Sequence, residues 1–126
     1  MRNGKTGDLI ADNENWRSEL KVMEDGIIRF KTKLARILEA DLQTDELEQL
    51  EHFQNRFLKM DEQISLLRHE VREQLYLLQQ LIQSNGPQLK KTLNLQRRLE
   101  VKMIIIQENF DKLSAEFSGY LQKTCS

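Results

Sequence analysis

Residues 50–71 read LEHFQNRFLKMDEQISLLRHEV, and their apolar positions fall at alternating intervals of three and four. Leu50, Phe53, Phe57, Met60, Ile64, Leu67 and Val71 form the stripe. A mean step of 3.5 residues is the heptad of a coiled coil, and a repeat shorter than 3.6 predicts a left-handed supercoil. The pattern recurs on both sides. Trp16, Leu20, Met23, Ile27, Phe30, Leu34 and Ile37 precede it; Leu99, Met103, Ile106, Phe110, Leu113, Phe117 and Tyr120 follow.

Two breakers separate the three stripes. The first is Asp41–Leu42–Gln43–Thr44 followed by two acids, a helix-start composition with Thr44 as candidate N-cap. The second is Ser84–Asn85–Gly86–Pro87, where Gly or Asn suits a left-handed C-cap and Pro the next first turn. The spacing predicts helices over about 13–40, 45–83 and 88–122, a polar N-terminal segment 1–12 and a tail 123–126.

Residues at one level of an antiparallel helix pair have numbers with a constant sum. Leu50 with Tyr120, Phe53 with Phe117 and every further pair up to Val71 with Leu99 sum to 170. Half of that is Asn85, in the second breaker. Between helices 1 and 2 the sum is 87, from Ile37 with Leu50 to Trp16 with Val71, and its midpoint lies in the first breaker. The expected fold is therefore all-α: an up-down-up, antiparallel three-helix bundle of coiled-coil type.

Above the apolar layers the same arithmetic puts Asn13, Gln74 and Gln96 together. Three amides at one level can hydrogen-bond and fix alignment, as a buried Asn does in coiled coils. Leu9–Leu78–Thr92 and Thr6–Leu81–Leu89 come next. If helix 1 began at residue 13, the hairpin of helices 2 and 3 would overhang it by about 16 Å.

Composition narrows function. Five Gly and one Pro in 126 residues leave too few turn formers for a sheet protein. Lys and Arg total 19 against 20 Asp and Glu, so no field of one sign is available to hold nucleic acid or an anionic membrane. Residues 41–83 carry 4 cations and 9 anions, and residues 84–126 carry 7 and 4, which suggests complementary charges within the bundle. Lys90, Lys91, Arg97, Arg98 and Lys102 lack interleaved aromatics and read as a solvated face. Met103–Ile106 is the longest apolar run, far below the ~18–20 residues of a membrane span. The polar start and a single cysteine, Cys125, predict a cytoplasmic protein without a leader.

Chemistry-bearing motifs are few. His52 and His69 fall at heptad positions c and f, facing outward, whereas helical-bundle metal sites project Glu and His inward. Gly4–Lys5–Thr6 matches only the end of a phosphate-binding loop, with no strand before it. No enzyme and no cofactor are expected. Apolar residues that the core does not use are more informative: Leu75, Tyr76, Leu77, Ile82, Leu93 and Leu95 near the hairpin tip, and Val101, Ile104 and Ile105 at f, b and c of helix 3. Together they are the candidate interaction surface, for a protein partner or a second copy. The alternative is a small apolar ligand or metal held among the Met and Phe layers.

Trp16–Arg17–Ser18–Glu19–Leu20 and Glu51–His52–Phe53–Gln54–Asn55–Arg56–Phe57 resemble segments of short uncharacterised helical bacterial proteins. The three-helix layout is similar to a spectrin-type repeat. Neither resemblance implies an activity.

Overall fold

The computed structural model describes residues 5–83 and 89–125, with side chains from 7 to 81 and from 90 to 123. The second breaker at 84–87 and the Thr6–Leu81–Leu89 layer therefore lie outside the described residues, in whole or in part. Three α-helices make up the fold: α1 (Lys5–Leu38), α2 (Thr44–Gln83) and α3 (Leu89–Cys125). No strand occurs among the described residues. The chain is an all-α three-helix bundle.

Helix 1 begins at Lys5 rather than at residue 13, and α3 continues to Cys125 rather than ending at 122. With 34, 40 and 37 residues, the helices span about 51, 60 and 56 Å. The overhang that a start at residue 13 would leave is thus closed by α1. Leu9 explains the extension: it continues the stripe beyond Asn13 and is half-buried at the level of Leu78 and Thr92, both buried. Tertiary packing of one apolar residue per turn outweighs the helix-weakening Gly7.

The turn into α2 differs by one residue from expectation. Leu47 donates its backbone N–H to the Gln43 carbonyl at 3.1 Å, and the Gln43 N–H donates to Glu46 Oε1 at 3.3 Å. Gln43, not Thr44, therefore occupies the N-cap, with Glu46 reaching back as the second half of a capping box. Asp45 and Glu46 in the first turn also oppose the helix dipole favourably.

The register follows the two constant sums. Phe53 and Phe117 pair at a ring-centroid distance of 5.1 Å, and Phe30 and Phe57 at 5.7 Å. Every stripe residue is buried except Trp16, Phe30, Ile37, Phe110 and Tyr120, which are half-buried. The polar layer forms as well. Asn13 Nδ2 donates to Gln96 Oε1 at 2.8 Å, and Gln74 Nε2 donates to the same oxygen at 3.0 Å. The remaining hydrogens of those two amides go to the Leu9 and Thr92 carbonyls.

Charged flanks run beside the stripes. Lys31 meets Asp61 at 2.8 Å and Arg68 meets Glu24 between α1 and α2. Between α2 and α3, Arg56 meets Glu116, and Lys102 meets Glu70 at 2.7 Å. Each partly exposed pair is worth about 0–1 kcal/mol; their placement, acid facing base across each seam, favours this alignment over others.

Gly26 makes room for an aromatic ring. A Cβ there would lie 2.7 Å from Phe110 Cζ and 3.1 Å from Cε1. The ring stacks on Phe30 at 6.0 Å and cannot yield without swinging as a plate. Gly26→Ala gains about 1 kcal/mol of helix propensity but meets an overpacking cost of about 1–3 kcal/mol. We expect a net loss of about 1 kcal/mol in urea unfolding. In a Phe110→Leu background the same substitution should be neutral or stabilising. A stabilised single variant would show that the ring is free to move.

Candidate interaction surface

Solvent-facing positions of α3 follow from the register. With Leu99, Met103 and Ile106 turned inward, Val101, Ile104 and Ile105 fall on the opposite side of the helix, and each is at least half exposed. Across the α2–α3 seam stands Leu66, 62% exposed. Leu66 and Ile105 flank a groove of about 190 Å³ whose floor is the buried pair Leu67 and Ile106. The Glu70–Lys102 pair lines the same groove. Apolar residues with a charged edge match the core-and-rim composition of protein interfaces.

Leu66 was not among the residues singled out from sequence. Its signal was available: at position c of α2, its number and that of Ile105 sum to within one of the α2–α3 constant.

The hairpin-tip candidates divide. Tyr76 and Leu77 are exposed and line a cleft of about 440 Å³ with His69, Arg72 and Glu73. Leu75, expected on the surface, is buried at 8% exposure. It lies at position e, one heptad beyond Arg68, on the flank of α2 that faces α1. Because α1 continues to Lys5, that flank meets a helix instead of water. Leu93 and Leu95 are half-buried, and Leu95 packs against the core cluster. The side chain of Ile82 lies outside the described residues. The tip thus contributes less free apolar surface than expected, and the α3 face becomes the larger candidate.

The histidines sit where the heptad puts them. His52 and His69 are both exposed, and His69 Nε2 lies 3.0 Å from Glu73 Oε1, one turn along the same helix. Among the described residues, no three His, Cys, Asp or Glu side chains are grouped to hold a metal ion. No helix among them is long and apolar enough to cross a membrane.

Fold and surface together define an antiparallel helical bundle with a filled core and an apolar outer face. No family model matches the chain, and neither the curated proteins nor the solved structures contain a match.

Proposed function

We propose that this chain is a non-enzymatic protein–protein interaction module whose docking surface is the outer face of α3, with a second copy of the chain as the occupant. The observation that carries the reading is the run Val101, Ile104 and Ile105, exposed on a helix whose inward stripe is already complete. A monomer has no packing reason to keep three large aliphatic groups in water on two turns of one helix. Helix-face recognition would use Ile104 and Ile105 as anchors, the groove beside Leu66 as their receptor, and the surrounding charges for specificity and encounter rate. The single cysteine suits a reducing cytoplasmic setting.

Light scattering behind size exclusion, across a hundredfold concentration range, tests this. The wild-type chain is expected at a multiple of 15.0 kDa, and Ile105→Glu at the monomer mass with an unchanged helical spectrum. A glutamate in the contact would bury an unpaired charge, whereas on a free surface it costs within about 0.5 kcal/mol. A monomeric wild type at every concentration would remove self-association from the reading.

A further inference from the structure

We propose that the cleft between α1 and α2 at the level of Arg17 and Arg72 binds a small, non-aromatic phosphate-bearing anion. The site is separate from the α3 face and does not depend on it. Arg17 and Lys21 stand four residues apart on α1, and Arg68 and Arg72 four apart on α2, so each pair occupies one side of its helix. The two pairs lie at similar levels of the bundle: Arg17 with Arg72 and Lys21 with Arg68 share the sum 89, two from the 87 of the core layers. All four line a single cleft of about 460 Å³ together with Glu14 and Ser18. That volume falls within the ~300–1,000 Å³ of small-molecule sites.

Along this seam base faces acid, as in Lys31–Asp61 and Arg68–Glu24. In the cleft itself four cations are lined up with a single carboxylate, Glu14. Two of the four are already engaged: Arg68 by Glu24, and Lys21 by Asp25 at 3.3 Å and Glu24 at 3.5 Å. Hydrogen bonding and charge from Asp25, then from Glu24, hold the Lys21 ammonium above its ordinary pKa. Arg17 and Arg72 have no ion pair with any described residue. A guanidinium fork is the planar donor set that a phosphoryl group accepts bidentately, and the cleft has one from α1, Arg17, and one from α2, Arg72. Ser18 adds a neutral hydroxyl donor. No aromatic side chain lines the cleft, and the ligand class is a pyrophosphate or a phosphorylated polyol.

Calorimetric titration of the full chain at low salt tests the site, with pyrophosphate and glycerol phosphate as separate probes. Wild type is expected to bind at least one of them at one site. Arg17→Gln and Arg72→Gln should each weaken it by about tenfold or more, since each removes a charge-assisted hydrogen bond. The double variant should show no binding, and without ligand it should melt above wild type because the like-charge pairs Arg17/Lys21 and Arg68/Arg72, each four apart on one helix, are gone. Lys90→Gln/Lys91→Gln, equal in charge removed but on α3, should bind as wild type does. Failure of wild type to bind either probe would overturn the proposal, as would equal weakening by the α3 control.

Discussion

Phe117→Ala is expected to destabilise the bundle by about 3–5 kcal/mol in urea unfolding. Phe117 is completely buried and is the hub of the aromatic cluster. Its ring meets Phe57 edge-on at 4.9 Å and 88°, Phe53 at 5.1 Å and 63°, and Phe30 at 5.5 Å and 62°. Such edge-to-face contacts add about 0.5–1.5 kcal/mol each to the area buried. Three helices contribute to this one cluster, so no single side chain can move in to refill the space. A domain of this size has about 5–15 kcal/mol in all, so the substitution removes about a fifth or more of its stability. Tyr76→Ala, an aromatic of similar size but exposed, should fall within about 0.5 kcal/mol of wild type. A Phe117→Ala loss below about 1.5 kcal/mol would mean that the helices close on the cavity and that the level assignment there is loose.

The bundle was legible in the sequence because its heptads are long and its turns short. Two constant sums fixed which residue of each helix shares a level, and the contacts of Phe53 with Phe117 and of Asn13 with Gln96 occur at those levels. The misreading of the hairpin tip traces to one boundary. The polar start with Gly7 and Asp8 disguised a helix whose inward residues are only Leu9 and its neighbours, one per turn. Beginning helix 1 at residue 13 then left Leu75 and Leu95 facing nothing, and both read as spare surface. With α1 extended to Lys5, Leu75 is core and Leu95 its margin. The α3 residues were read correctly as exposed because no helix end bears on them: they point away from both neighbours at the middle of a long stripe. The cationic cleft escaped notice for a different reason. Net charge by segment averages over helix faces, and only the folded cleft brings Arg17 and Arg72 together.

The polar layer should behave oppositely when broken and when replaced as a whole. Gln96→Leu alone is expected to cost about 2–4 kcal/mol, because Asn13 Nδ2 and Gln74 Nε2 both donate to Gln96 Oε1 and each stranded buried donor costs about 1–3 kcal/mol. Asn13 and Gln74 are fully buried, so neither amide has a route to water. The triple substitution Asn13→Leu, Gln74→Leu, Gln96→Leu leaves no stranded donor and adds an apolar layer; it should match or exceed wild type by about 1–4 kcal/mol. Specificity is where it should lose. Sliding α1 by one heptad in wild type would put Asn13 at the level of Leu67 or Leu81 and strand its amide, whereas in the triple variant leucine would meet leucine. Nitroxide pairs on exposed positions of α1 and α2 measure this directly: one distance in wild type, and a second population displaced by about 10 Å in the triple variant. If the triple variant keeps one distance, the seam pairs Lys31–Asp61 and Glu24–Arg68 set the register. A slip of one heptad would set Lys31 against Arg68 or Glu24 against Asp61, like against like, and surface charge would then be sufficient for alignment without buried amides. A Gln96→Leu loss under about 1 kcal/mol would instead show that the stranded amides find water, and that the layer is wetter and looser than its hydrogen bonds imply.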